Sequence, residues 1–121
     1  MTCSTTPSDS QGPDLTIVQG KTHQKGFKCK VDGSFKDMST VSTAQFIIRS
    51  GSVSGTALLT LTKAAGNITV SGNFLYVNFT PAQSASVTAG KHWYGLEITF
   101  NDGYVPPYPP GRITVVEEAN S

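Results

Sequence analysis

The residues that could carry out chemistry are few and widely spaced. His23 and His92 fall in different predicted strands, and neither lies near a nucleophile elbow or a pair of metal ligands. Acid and base catalysis by carboxylates needs two of them held together. The acidic side chains instead lie singly at turns and strand surfaces, at Asp32, Asp37, Glu97 and Asp102. The sequence therefore predicts no catalytic site, no cofactor and no metal site, and we expect His92 to be a surface residue.

Aromatic side chains on outward faces are better candidates for function. Alternation with a period of two turns Phe74, Tyr76 and Trp93 outward, and a proline-rich loop holds Tyr104 and Tyr108. Exposed rings can stack on sugars or fill the pockets of a protein partner. The alternatives are that another layer of the protein covers the rings, and that the proline loop only buttresses the end of the domain. We take the five aromatic residues as candidate partner contacts.

Composition and charge narrow the class of protein. The 121 residues predict one domain with a single core. The net charge is +1, without the clustered basic excess of a nucleic-acid binder. No signal peptide is predicted after Met1, and no apolar run approaches the ~20 residues of a membrane span. We therefore expect synthesis in a cytoplasm, no nucleic-acid or membrane partner, and free thiols at Cys3 and Cys29.

Residues 91–100 give the clearest pattern of secondary structure. Their alternation predicts a half-buried strand whose core-facing side chains are Tyr94, Leu96, Ile98 and Phe100. The same period predicts further strands at residues 15–18, 23–31, 43–49, 57–63, 68–70, 74–79 and 112–116. Residues 39–42 favour a turn or loop. Thr80, Pro81 and Gln83 form a capping-box signature, so one short helical turn is predicted near residues 81–87.

The predicted fold class is all-β, an antiparallel β-sandwich of immunoglobulin-like or jelly-roll-like type with seven or eight short strands. Residues 1–14 are polar and read as a flexible arm, because they cannot bury enough apolar surface to order themselves. The sandwich is predicted over residues 15–116, and residues 117–121 form a polar tail.

Several short stretches follow one another in a distinctive order. They are LTIVQG at 15–20, VDG at 31–33, FKDMS at 35–39, AQFIIR at 44–49, LLTLT at 58–62, GNITV at 66–70, TPAQ at 80–83 and AGKHWYGLEI at 89–98. Together they resemble immunoglobulin-like or jelly-roll-like domains of tailed-bacteriophage virions. That family includes capsid decoration proteins, stand-alone accessory proteins and the N-terminal domain of upper baseplate proteins.

The resemblance implies a virion structural protein without catalytic activity. Its first expected role is a capsid decoration or cement protein that docks on the major capsid lattice. A tail, neck or baseplate component, such as a fibre adaptor, is the second. A third hypothesis is a carbohydrate-binding module for adhesion to the host through Trp93 and Tyr76. The expected partners are the major capsid protein first and tail or baseplate proteins second, with self-association as a further option.

Overall fold

The described residues form two β-sheets that pack face to face around one core, and a separate two-stranded sheet. The computed structural model describes residues 14–28, 30–31, 34–35, 37–52, 55–105 and 110–117. The predicted arm before Asp14 and the tail after Glu117 lie outside the described residues. Cys3, Cys29 and Tyr108, for which predictions were made above, also lie outside the described residues.

The described residues form ten strands, one α-helix and one 3₁₀ turn. The strands are β1 (Leu15–Val18), β2 (His23–Phe27), β3 (Lys30–Val31), β4 (Ser34–Phe35), β5 (Val41–Arg49), β6 (Ala57–Thr62), β7 (Ile68–Ser71), β8 (Phe74–Phe79), β9 (Gly90–Phe100) and β10 (Gly111–Val116). The helix α1 covers Pro81–Ala85, and the 3₁₀ turn covers Met38–Thr40.

The strand order is that of an immunoglobulin-like sandwich. One sheet has the order β1-β10-β9-β5-β6, and the other has the order β2-β8-β7. Two sheets packed face to face in this way are typical of immunoglobulin-like domains, and β9 lies at the centre of the larger one. The prediction of an all-β sandwich is confirmed. Within this sandwich β1 pairs with β10 in parallel, and the other described strand pairs are antiparallel.

Strand β9 has the burial pattern that its alternation predicts. Tyr94, Leu96, Ile98 and Phe100 are buried in the core, and each is at most 5% exposed. The same alternation also turns His92 inward, so the prediction of a surface histidine is wrong. Its Nε2 lies 2.7 Å from the backbone oxygen of Thr88. That contact joins the start of β9 to the segment that follows α1.

Aromatic rings connect the two sheets at the centre of the core. Phe46 of β5 stacks on Tyr94 of β9, with 5.2 Å between ring centroids. Across the interface, Phe46 meets Phe27 of β2 at 6.3 Å and Phe79 of β8 edge-on at 5.8 Å. Phe27 also lies 6.2 Å from Tyr94. These rings bring apolar area from four strands into one cluster.

Several strands begin or end at other residues than predicted, and the pairing of the strands shows where. The strand predicted at 23–31 is divided: β2 ends at Phe27, whose partner Leu75 lies one residue from the start of β8. Lys30 and Val31 pair instead with β4. Val41 and Ser42 belong to β5 rather than to a loop, because β9 extends to Phe100 and provides a partner for Val41.

The short helix agrees with its sequence signature. The Thr80 hydroxyl accepts a hydrogen bond from the backbone N–H of Gln83, and the Gln83 side chain accepts one from the N–H of Thr80. Pro81 occupies the first turn. The capping box and the short helical turn are therefore confirmed.

We expect Gly111→Ala to destabilise the fold. A Cβ at Gly111 would lie 2.5 Å from Cε2 of the buried Tyr94 ring, which is closer than real contacts of this kind. The free energy of unfolding should fall by about 1–3 kcal/mol, measured by urea denaturation.

Gly95→Ala is the matched control, because a Cβ there meets nothing within 4 Å, and it should change the unfolding free energy by less than about 0.5 kcal/mol. The double variant Tyr94→Leu/Gly111→Ala should lose less than the sum of its single variants, because leucine leaves room for the new methyl group. Fully additive losses would contradict the steric explanation.

Asp37 should make the stability depend on acid pH. Its Oδ1 accepts a hydrogen bond from the backbone N–H of Ser39 at 2.9 Å, and this bond holds the pKa of Asp37 below the ordinary value of 3.8. The stabilisation is present above that ordinary value and is lost as pH falls through the lowered pKa. The difference in urea midpoint between the wild type and Asp37→Asn should therefore shrink on acidification. A difference that stays constant between about pH 6 and pH 2 would contradict this assignment.

Candidate recognition surfaces

The predicted outward aromatics lie on two opposite faces of the sandwich. Trp93 is on the outer face of the five-stranded sheet, whereas Phe74 and Tyr76 are on the outer face of the three-stranded sheet. All three side chains are half-buried. The core lies between the two faces, so a single sugar-binding platform made from Trp93 and Tyr76 is not possible.

Trp93 lies in a row with two arginines. It pairs with Arg112 of β10 on one side and with Arg49 of β5 on the other. The guanidinium carbon of Arg112 lies 4.6 Å from the centroid of the Trp93 ring, in a cation–π contact. Arg49 donates a hydrogen bond to the backbone oxygen of Gly55, which fixes the guanidinium beside the β5–β6 loop. This row, which we call the tryptophan row, presents an aromatic ring and two positive charges.

A hollow lies next to the tryptophan row on the same face. Gly95 follows Trp93 at the next outward position of β9 and has no side chain to fill the space. The hollow has a volume of about 280 Å³ and is lined by Gln45, Ile47, Arg49, Gly95, Leu96 and Glu97. The face therefore has a half-buried ring, a depression and then a carboxylate along one strand.

The outer face of the three-stranded sheet has a second cluster. Phe74 and Tyr76 stack on each other with 5.5 Å between ring centroids and an interplanar angle of 14°. Both rings lie against Gly26 of β2, where a Cβ would come within 3.2 Å of Tyr76 and 3.4 Å of Phe74. Glycine at this position lets the rings lie close to the neighbouring strand.

Lys28 extends this second cluster towards the β3–β4 hairpin. Its Nζ lies 4.5 Å from the centroid of the Phe74 ring and 4.6 Å from that of Phe35. Phe35 is 44% exposed, so one of its sides faces solvent. We call the four residues Lys28, Phe35, Phe74 and Tyr76 the lysine cluster. Like the tryptophan row, it combines aromatic rings with a cation.

Tyr104 has a different environment from the other candidates. Its ring stacks on Phe100 with 6.1 Å between centroids, and it packs against the edge of the core. Its backbone N–H donates to Oδ1 of Asp102, and its backbone oxygen accepts from Phe100. Tyr104 therefore secures the start of the proline-rich loop, while Tyr108 lies outside the described residues.

The other polar residues are dispersed. His23 Nε2 accepts a hydrogen bond from the backbone N–H of Val18, which is a structural contact between the start of β2 and the end of β1 in the other sheet. Within the described ranges, no three histidine, cysteine or acidic side chains come together as a metal site would require. The described part of the chain also has no helix with the length and apolar character to cross a membrane.

Sequence reasoning missed the partners of the aromatic rings. The alternation places Arg49 outward on β5 and Arg112 outward on β10, but only the pairing of those strands with β9 brings both beside Trp93. Lys28 contacts Phe74 of β8 and Phe35 of β4, and both contacts depend on how distant segments come together. The outward glycine between Trp93 and Glu97 was the one local signal of a hollow.

Arg112→Ala should expose the tryptophan without unfolding the protein. Trp93 is the only tryptophan, so intrinsic fluorescence reports on it alone. Removal of the guanidinium should increase acrylamide quenching, while the unfolding free energy should fall by no more than about 1 kcal/mol, because Arg112 is exposed. Lys91→Ala, at the preceding outward position of β9, is the control and should leave quenching unchanged. Equal quenching of the Arg112→Ala variant and the wild type would contradict the cation–π contact.

Comparison with known proteins finds similarity of fold only. No protein-family model and no curated protein matches the sequence. Among solved structures, the chain is similar to fibronectin(III)-like modules of Clostridium thermocellum CbhA, with a TM-score of 0.43, 8% identity, and coverage of 88% of this chain and 92% of that one. For Drosophila OTK extracellular domains 3-5, the TM-score is 0.37 and the identity 16%, over 93% of this chain and 38% of that one. A non-cellulosomal cohesin from the hyperthermophilic archaeon Archaeoglobus fulgidus gives a TM-score of 0.29 and 16% identity, over 88% of this chain and 90% of that one.

These similarities are weak. The assignment of an immunoglobulin-like β-sandwich accordingly rests on the strand order and register of the chain itself.

Proposed function

We propose that the protein is a non-catalytic structural component of a tailed-bacteriophage virion, where it decorates the capsid by docking on the lattice of the major capsid protein. The observation that carries the proposal is the position of the tryptophan row and the lysine cluster on opposite faces of one sandwich. A module with two such faces can contact two neighbours at once.

The chemistry of both faces suits contact with proteins. Aromatic residues and arginine are enriched at the centres of protein interfaces, because they bury a large area and donate several hydrogen bonds. Each cluster is held in place by neighbours within the sandwich, through the Arg112–Trp93 contact on one face and the Lys28–Phe74 contact on the other. Little side-chain freedom is then lost on binding. Repetition on a symmetric lattice would add avidity to a modest single contact.

The order of the short stretches in the sequence supports the assignment to a virion. The dispersed histidines and carboxylates of the described residues support a role without catalysis, because acid–base and nucleophilic catalysis need such groups held together. A tail, neck or baseplate component is the second candidate, since the same two faces would suit an adaptor between subunits. A capsid shell and a tail differ in copy number, and this difference separates the two roles.

The test is the amount of this chain in purified virions. Quantitative mass spectrometry should find it in copy numbers comparable to those of the major capsid protein, and cryo-electron microscopy should locate it on the outside of the shell. A small, fixed copy number at a single vertex would favour the tail or neck. Absence of the chain from virions would overturn the proposal.

Variants on the two faces should lower incorporation into particles. Trp93→Ala and Phe74→Ala each remove the ring at the centre of one cluster, and each should reduce the copies per particle by about tenfold or more. Thr88→Ala changes an exposed residue outside both clusters and is the control. The thermal midpoint of each variant is measured in parallel, so that a loss of docking is distinguished from a loss of folding. Normal incorporation of both ring variants would rule out these faces as contacts.

A further inference from the structure

We infer that the outer face of the five-stranded sheet binds a second copy of this chain, in a symmetric dimer with β9 facing β9. The inference rests on the proposed function in taking this face as a contact surface, and it names the partner. It follows from three features of the face: a ring, a hollow and a pair of opposite charges, all placed along one strand.

The ring and the hollow are complementary in size and position. Packed sheets lie about 10 Å apart, so a tryptophan between them fits only where the opposing strand has a very small side chain. The half-buried Trp93 lies on the outward face of β9, and Gly95 leaves the hollow of about 280 Å³ at the next outward position. Nothing lies within 4 Å of a Cβ built on Gly95, so the chain's own Trp93 does not fill this space. Two copies in opposite orientation can each insert Trp93 over the Gly95 of the other.

The charges on the same strand agree with this arrangement. Lys91 and Glu97 are exposed, and they lie at the outward positions that flank Trp93 and Gly95. A two-fold axis at the level of Tyr94 lies midway between Trp93 and Gly95, and also midway between Lys91 and Glu97. The operation that seats each ring in a hollow therefore also places each lysine opposite a glutamate. One axis satisfies both pairings, as an isologous interface requires.

The neighbouring strand β5 brings no like charges together in this arrangement. Arg49 is paired with Trp93 and Ile47 with Gly95 in the β5–β9 register. The same two-fold axis places Arg49 of one copy opposite Ile47 of the other, so the two arginines do not meet. The methylene groups of Arg49 can then cover Ile47 while the Arg49 guanidinium stays hydrogen-bonded to the backbone oxygen of Gly55.

The opposite face of the sandwich lacks this self-complementarity. Its described outward residues carry the positive charge of Lys28 and include no carboxylate: they are Gln24, Gly26, Lys28, Thr69, Ser71, Phe74, Tyr76 and Asn78. Among these residues, a two-fold axis has no pair of opposite charges to match. We therefore assign the second copy to the five-stranded sheet and leave the lysine cluster to a different partner.

The test is sedimentation equilibrium of the full chain over concentrations up to about 1 mM. The wild type should show a monomer–dimer equilibrium. Gly95→Leu places a side chain in the hollow, where a Cβ meets nothing within 4 Å, and it should weaken the dimer by about tenfold or more. Tyr76→Ala, on the opposite face, is the matched control and should leave the equilibrium unchanged.

Charge exchange tests the proposed register. Lys91→Glu and Glu97→Lys should each weaken self-association by about tenfold, because each places like charges opposite one another twice. An equimolar mixture of the two variants should associate again, since every charge then faces its opposite. The double variant Lys91→Glu/Glu97→Lys should also dimerise. Failure of both combinations to restore association would overturn this register.

The inference and the proposed function can fail independently. A wild-type chain that stays monomeric at every concentration overturns the dimer, whatever its abundance in virions. A dimer that responds to Gly95→Leu supports the inference even if the chain is absent from virions. A dimer that responds to Tyr76→Ala but not to Gly95→Leu would assign self-association to the other face and overturn the inference.

Discussion

The contact among Phe27, Phe46 and Tyr94 holds the two sheets together at their centre. Immunoglobulin domains place a disulfide between the strands that correspond to β2 and β9, and they pack a tryptophan of the strand corresponding to β5 against it. Here three aromatic rings occupy those strands, with centroids 5.2–6.3 Å apart. Such ring pairs contribute about 0.5–1.5 kcal/mol each beyond the burial of their area. The centre of the sandwich therefore needs no covalent bridge between the sheets.

This central contact determines which residues lie on the outer face of the five-stranded sheet. Because Tyr94 must point into the core, the period of two turns Trp93 and Gly95 outward. Tyr94 stacks on Phe46 of β5, and β9 pairs with β5. On its other side β9 pairs with β10, where Tyr94 lies close to Gly111. These two pairings bring Arg49 and Arg112 to either side of the tryptophan. The recognition surface is thus a consequence of how the core is packed.

The sequence predicts the local features of this protein well. The inward residues of β9 and the capping box at Thr80 depend on spacing within a few residues, and both are as expected. His92 shows a limit of such reasoning, because its polar type favours the surface whereas the alternation turns it inward. Ser84 reads as a poor helix former. In the fold it is fully buried, and its hydroxyl bonds to both backbone groups of Lys21.

The features that sequence could not predict depend on contacts between distant strands. Gly111 reads as the end of a loop, yet it is buried in β10 beneath the Tyr94 ring. The parallel pairing of β1 with β10 joins segments about as far apart as the described chain allows, and no local pattern encodes it. The cation–π contact on Trp93 likewise needs the register of β9 with β10. Alternation gives the face on which a residue lies, but the neighbours on that face come from the pairing of strands.

The parallel pairing of β1 with β10 has a mechanical consequence. In a parallel pair both strands run the same way, so the chain enters β1 beside Ile113 and leaves β10 beside Val18, at opposite ends of the sandwich. Tension between Leu15 and Val116 would then pull the two strands past each other along their length. All the hydrogen bonds between them would bear the load together in shear, rather than opening one after another as in a hairpin pulled apart from one end. The sandwich is thus built to resist stretching along its strands.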